Sequence, residues 1–390
     1  MSKKRVAIIL SRFPYPLDKG DKLRAYHQIR ALSAHYSVYL FTLCDRIPDD
    51  QQLKALAPYC TEIHYVVLGV TQRLVQMALG FFRKDPAQVA YFFQYQAKQQ
   101  FDAWIGQCQP HLIYGQLSRT ARYLLPVMKP TMLDFQDCFS ANYRRMARSK
   151  NGIVKWFYLR EARRMQEFEG RMLQWFQHCT IISASDRKQI PGGDQMRIVP
   201  NGVDSTYFRP TKTDKLVDLV FVGNLSYEPN IHAAEFLVNE VMPLVWNQMP
   251  QVQLLLAGTT PSPRVRRLQE KRVQVSGWMP DIRQAYASGK VFVAPLFTGA
   301  GLQNKLLEAM SMQLPCITTP LVNESLNALP DQELLIANDA QEFTTCILEL
   351  LAQPQRREEL GEKARNFVVS AYNWQSANAP LLQCVQLLIN

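Results

Sequence analysis

The chain has 390 residues, 47% of them hydrophobic and 20% charged, the make-up of an ordinary globular protein long enough for two cored domains. Its net charge of +11 is unevenly spread: residues 1–190 hold 28 Lys and Arg against 14 Asp and Glu, a balance of +14, leaving −3 for residues 191–390. Eight cysteines without C-x-x-C pairs or histidine partners argue against zinc and disulfides and for free thiols in a reducing cytosol.

In chain order, "MSKKRVAIILSRF" has only five apolar residues in a row, too few for a signal segment, and "RVAIIL" reads as a first strand. The loop "SRFPYPLDKGDKLRAYHQI" follows, with Gly20 before Asp21, a suitable N-cap for a helix from Lys22 onward. Asp18, Lys19 and Asp21 also fit ordinary turn chemistry. Strands are expected at "SVYLFTL" and "EIHYVVL". "VQMALGFF" at 75–82, between Arg73 and Arg83, falls short of the roughly 18 residues that span a bilayer. "HLIYGQL", "TMLDF" and "CTIIS" complete the strands of the first half. Between the last two, residues 142–171 carry nine Lys or Arg interspersed with Trp156, Phe157, Tyr158, Leu159 and Met165. Such a stretch suits an anionic membrane surface, or equally a solvated helix face.

Pro, Gly-Gly and Asn-Gly cluster in "SASDRKQIPGGDQMRIVPNGVD", which places a hinge between Ser183 and Asp204. Beyond it "LVDLVFVG", "VQLLLAG", "VQVSGW", "VFVAPL", "PCITT" and "ELLIA" repeat the alternation of strand and helix-length segment. Strands apolar on both faces indicate parallel sheets covered on each side, hence an α/β chain of two doubly wound, Rossmann-like domains facing across a cleft. Ligands of such folds lie beyond the carboxyl ends of the strands. His111 and His232 precede a strand and a helix and read as structural, and the six histidines form no metal or base constellation.

"GAGLQNKLLEAMSMQLPCITT" is the most suggestive stretch. Gly299 and Gly301 allow a tight turn, and Leu302, Leu306, Ala309 and Met310 recur at helical spacing, so a helix is expected from near residue 302. Its first amides and Lys305 suit an anion such as phosphate. Asn304, Lys305 and Glu308 share the side away from the apolar stripe, where a carboxylate can accept from paired sugar hydroxyls. A solvated Lys305–Glu308 pair beside an ordinary turn is the plainer alternative.

"VPNGVD", "FVGNLSYEPN", "GWMPDIRQAYASGKVFVAPL" and "NKLLEAM", in this order, resemble the C-terminal signature of family 4 glycosyltransferases of the GT-B fold. "PYPLDKGDKLRAYHQIRAL", "LDFQD" and "GAGLQNKLLEAMSMQLP" are similar to sugar transferases associated with bacterial exopolysaccharide systems. The resemblance implies an N-terminal acceptor domain (1–183), a linker (184–204), a nucleotide-sugar domain (205–368) and a C-terminal helix (369–390) returning to the first domain. It implies Glu308 on the ribose hydroxyls, backbone around Trp278 at the base, and Gly299, Ala300, Gly301, Leu302, Gln303, Asn304 and Lys305 near the diphosphate. Gly223 and Gly20 would approach the donor from either domain, and Glu308, Lys305 and Asp137 would be the catalytic residues. Asp137 would orient the donor sugar or else cap the next helix. Asn224 and Asn230 stand where many relatives have Arg and Lys, Ala300 where they have an earlier Glu, and Gln136 where they often have His.

The function so implied is retaining transfer from a nucleotide-diphosphate sugar to a glycan or lipid-linked acceptor in exopolysaccharide synthesis, with no cofactor and no metal. The setting would be the cytoplasm, peripherally on the inner face of the membrane through residues 75–84 and 142–171. A catalytically degenerate GT-B assembly partner is the alternative. A nucleic-acid binder using the basic half ranks lower, since RRM, KH and helix-turn-helix signatures are missing, and no nucleic acid is expected.

Overall fold

The computed structural model describes residues 3–82, 85–126, 129–148, 150–211, 215–298 and 301–389. They divide into two units, Met1–Pro200 with Asn378–Asn390, and Asn201–Ala377.

The first unit is built on β1 (Arg5–Leu10), β2 (Ser37–Cys44), β3 (Glu62–Val67), β4 (Leu112–Gln116), β5 (Thr131–Asp134), β6 (His178–Ile181) and β7 (Arg197–Ile198). All pair in parallel, in the order β3-β2-β1-β4-β5-β6-β7. Alternation along each strand feeds two cores, one per face. Ala7, Ile9, Phe41, Leu43, Ile113 and Leu133 enter one; Val6, Ile8, Leu10, Val38, Leu40 and Leu112 enter the other. Helices are needed on both sides because both faces are apolar.

Leu381, Cys384 and Val385, from the Trp374–Ile389 helix, lie in the second of these cores, so the end of the chain completes the first unit. β7 is a strand that the Pro- and Gly-rich reading of the hinge left out. It pairs Thr180 with Arg197 and Ile181 with Ile198, and so ties the chain up to Pro200 into the first sheet.

The second unit holds β8 (Val217–Val222), β9 (Leu254–Ala257), β10 (Val273–Val275), β11 (Gly289–Ala294), β12 (Cys316–Thr318) and β13 (Leu335–Ile336), parallel in the order β10-β9-β8-β11-β12-β13. In each sheet the strand order reverses beside the first strand, between β1 and β4 and between β8 and β11. Loops leaving these neighbours part to opposite faces and open a crevice at the carboxyl ends.

A buried charge pair braces the first crevice from below. Arg24 grips Asp134 through Nε (2.7 Å) and Nη2 (3.0 Å), with both side chains fully buried. Thr180 Oγ1 donates to the same carboxylate at 2.8 Å, and Arg24 Nη1 donates to the Val199 carbonyl at 2.7 Å. Such a pair is tolerated only when its remaining donors and acceptors are used, as here.

Two helix starts differ from expectation. The first helix spans Gly20–His35 and begins two residues before Lys22, with Lys19 as N-cap; Asp21 lies in its first turn and bonds Arg12 at 2.9 Å instead of capping. The later helix spans Asn304–Ser311, because Gly301 is left-handed (φ 94°) and Gln303 is extended, which holds the chain out of the helix until Asn304.

Candidate functional site

In the second unit the site grows from two loops beside the β8/β11 reversal. After β8 comes Gly223, where a Cβ would lie 2.8 Å from Asn230 Nδ2 and displace that side chain. Gly258, after β9, has φ +145°, and a Cβ on it would fall 1.7 Å from the Gly223 carbonyl oxygen. These two backbones therefore touch, and only glycine fits at 258. Asn224 closes the following turn on itself, its Oδ1 accepting from Ser226 N (3.0 Å) and Oγ (2.7 Å). Asn230, buried, donates from Nδ2 to the Asn224 carbonyl at 2.8 Å and accepts from Lys305 Nζ at 2.5 Å.

Lys305 comes from the other loop, in the first turn of the Asn304–Ser311 helix, and its ammonium also sits 5.4 Å from the Phe221 ring centre. The N-cap side chain does not cap this helix, Gln303 Nε2 turning back to the Gly301 carbonyl at 3.3 Å, and its carbonyl accepts from the Leu306 amide at 3.0 Å, so the Asn304 and Lys305 amides are the ones without a bond among the described residues. Leu302, Leu306, Ala309 and Met310 are buried as expected and fix the helix against the core. Asn304 Oδ1 accepts from Asn201 Nδ2 at 2.9 Å. Glu308 is held by Tyr286, a fully buried side chain whose Oη donates to Oε2 at 2.7 Å. Among the described residues, Oε1 has no hydrogen bond and remains available.

Both ionisable groups are crowded by protein although each keeps a partly exposed edge. Burial pushes the Lys305 amine down to about 8, opposed by the Glu308 charge. Burial likewise pushes the Glu308 carboxyl up to about 7, against the Tyr286 hydrogen bond and Lys305. An anion beside Lys305 and a pair of hydroxyls on Glu308 would each supply the partner that desolvation removed.

Of the residues singled out in sequence, Gly223, Asn224, Asn230, Gly301, Leu302, Gln303, Asn304, Lys305 and Glu308 thus fall into one contiguous site. Gly299 and Ala300 lie outside the described residues. Trp278, on the stretch after β10, is 70% exposed and takes no part in the hydrogen bonds around Lys305. Tyr286, Asn201 and Gly258 belong to the site and were not singled out. Asn201 and Tyr286 lie inside quoted motifs, but only Gly258, following a strand end, carried a local signal.

The first unit presents a second group at its own reversal. Gly20 opens the first helix without a side-chain cap. Leu117 after β4 and Gln136 after β5 are both left-handed (φ 67° and 61°), strained backbone of the kind that collects at functional sites. Next to Leu117, Ser118 Oγ and Arg119 Nη1 are buried without partners among the described residues, as is Gln136 Oε1. Arg119 lies against the Phe92 and Phe139 rings, and burial together with Arg12 pushes it down to about 10.

Asp137 receives Gln136 Nε2 at 3.3 Å, while burial and the nearby Asp186 charge push it up to about 7. It does not cap the Phe139–Arg148 helix: the Cys138 amide goes to Asp186 (3.4 Å) and the Ser140 amide to Glu169 (3.2 Å). Among the described residues no three His, Cys, Asp or Glu side chains gather as metal ligands.

Residues 217–353 match the family model described as glycosyl transferases group 1. Along nearly its whole length the chain is similar to an uncharacterized 44.6 kDa protein in the cps region of Klebsiella pneumoniae, with 20% identity over 95% of this chain and 96% of that one. Among solved structures it is similar to sucrose-phosphate synthase from Thermosynechococcus elongatus, with 16% identity, a TM-score of 0.73 and coverage of 99% of both chains. HepE from Anabaena, solved in complex with UDP-glucose, aligns at 12% identity and a TM-score of 0.70, covering 98% of this chain and 99% of that one. At these identities the structural matches speak for the fold, two parallel-sheet α/β domains of the GT-B class.

Proposed function

We propose, from the premise that the chain is a glycosyltransferase of the GT-B class, that it moves a sugar from a nucleoside diphosphate to a glycan or lipid-linked acceptor with retention of anomeric configuration, in cell-surface polysaccharide synthesis. The observation that carries the reading is the pairing of Lys305 and uncapped helix amides with a Glu308 carboxylate anchored by Tyr286. This is a site for a diphosphate at one end and a ribose diol at the other.

In the proposed reaction the bond from the anomeric carbon to the diphosphate oxygen breaks, and its electron pair stays on that oxygen. The Lys305 ammonium and the Asn304 and Lys305 amides stabilise the growing charge, the effect that does most of the work in such departures. The acceptor hydroxyl attacks the same face, and its proton passes to the departing phosphate oxygen, so no enzymic base is required. Asn230 positions the Lys305 ammonium instead of adding a charge of its own, which places more of the neutralisation on Lys305. In the first unit, Asp137 and the Arg119 corner are the groups proposed to receive the acceptor.

A thermal-shift screen of UDP-, GDP-, dTDP- and CMP-sugars tests this reading, since a ligand at a hundred times its dissociation constant stabilises by about 2.7 kcal/mol. One nucleotide class should raise the melting temperature, and Lys305→Ala and Glu308→Ala should abolish the rise. No response from any of them would overturn the site. A response without hydrolysis or transfer would favour the degenerate assembly partner, for which Asn224 and Asn230 in place of charged residues are the specific grounds.

A further inference from the structure

The chain that opens the second unit, residues 201–208, runs along the Asn304–Ser311 helix that carries Lys305 and Glu308. At one end Asn201, 3% exposed, meets Asn304, the first residue of that helix. At the other end the Phe208 carbonyl accepts from Oγ of Ser311, its last residue, at 2.6 Å. The Phe208 ring also stands edge-on to Tyr286, with ring centres 6.1 Å apart, and Tyr286 is the side chain that holds Glu308.

Between these ends the segment is pinned. The Val203 amide donates to the Tyr372 carbonyl at 2.7 Å, and Asp204 Oδ1 accepts from the amides of Thr206 (3.1 Å) and Tyr207 (3.0 Å). The buried side chain of Asn201 is therefore brought to Asn304 by a stretch with little freedom of its own.

Asparagine and aspartate side chains at the start of a helix or turn bond the backbone amides next to them and so compete with any other acceptor for those amides. This chain shows the habit repeatedly. Asp21, the second residue of the Gly20–His35 helix, takes the Lys22 amide at 3.1 Å; Asn224 takes that of Ser226 at 3.0 Å, and Asp281 that of Arg283 at 3.0 Å. Asn304 departs from it. It stands beside two amides without a bond among the described residues, its own and that of Lys305, yet its Oδ1 turns to Asn201 Nδ2 at 2.9 Å.

We propose that Asn201 is a positioning residue for the donor: by engaging Asn304 Oδ1 it keeps the Asn304 and Lys305 amides open to a phosphate. The inference rests on the reading of this site as the diphosphate end of a nucleotide-sugar pocket. Without Asn201, the Asn304 side chain folds onto its own turn, and a phosphate must break that bond before it docks. The cost falls on binding alone, because the amides, once released, serve the phosphate as before.

Titration calorimetry with UDP, GDP, dTDP and CMP, followed by donor kinetics with the class that the wild type binds, tests it. Asn201→Ala should weaken the nucleotide about three- to tenfold, the worth of one neutral hydrogen bond, and raise the donor KM by the same factor with kcat little changed. Adding Asn304→Ala removes the competing acceptor and should return the affinity to within about twofold of the wild type, since taking away both partners leaves neither one unpaired. If Asn201 merely held the fold together, the second truncation would leave the affinity as low or lower. Asn201→Ser, too short to reach Asn304, should repeat the loss and takes the place of the alanine variant where that one does not fold. An Asn201 variant that binds like the wild type, a loss that Asn304→Ala does not recover, or a loss confined to kcat would overturn the proposal. Wild-type protein that binds none of these nucleotides would instead overturn the donor reading itself, and with it the diphosphate that Asn201 is proposed to serve.

Discussion

Tyr286 determines how Glu308 is offered to a ligand. Its hydroxyl occupies Oε2, leaving Oε1 toward the site, and helps keep the carboxyl ionised against burial. Tyr286→Phe should therefore raise the donor KM about tenfold or more with kcat little changed, as loss of one hydrogen bond to a charged group predicts. The acid limb of the kcat/KM profile should also move to higher pH. A merely structural tyrosine would leave that limb in place.

The other limb belongs to Lys305. Only its protonated form neutralises a diphosphate, and burial holds it near 8, so kcat/KM for the donor should rise as pH passes about 7, where Glu308 ionises, and fall as pH passes about 8. Lys305→Arg should abolish the fall, because a guanidinium stays charged. A fall that persists in this variant would assign it to another group. Lys305 and Glu308 were legible because their spacing puts both on the face opposite a buried stripe. Tyr286, 22 residues earlier in the chain than Glu308, was not: a lone tyrosine before a strand looks like any core aromatic.

At the level of elements, the glycines that matter act in pairs across strands. Gly258 has to be glycine because of Gly223, which follows a different strand, and sequence alone does not report that their backbones meet. Gly258→Ala would add a Cβ onto a carbonyl at a left-handed backbone position and should cost about 2–4 kcal/mol, read as a lower urea midpoint with unchanged m. Twelve strands were legible as apolar runs, since the inner strands of parallel sheets are buried on both faces; the edge strands β3 and β10 are the ones left largely unburied. β7 was not, because two residues between Pro- and Gly-rich flanks become a strand only through pairing with β6. Helix starts were displaced by two residues either way, since caps and φ angles, not propensity, set them.

At the level of the molecule, the chain leaves the first unit at Pro200 and re-enters it at Asn378. The returning segment places Leu381, Cys384 and Val385 in the core under β1 and β2. A chain ended at Ala377 would leave that core open, at a cost of about 5 kcal/mol or more. Calorimetry should then show the first unit melting at a lower temperature, separated from the second. The returning helix was foreseen only through family resemblance, because nothing local in "WQSANAPLLQCVQLLIN" says which core it joins.

The amine held near 8 by its surroundings has a thermodynamic echo. Contact with a pyrophosphate restores the partner that burial took from it, so docking of a nucleotide above neutrality must draw hydrogen ions from the medium. Titration calorimetry at pH 8.5 should then give heats that scale with the ionisation enthalpy of the buffer, and the same titration with an arginine at 305 should not.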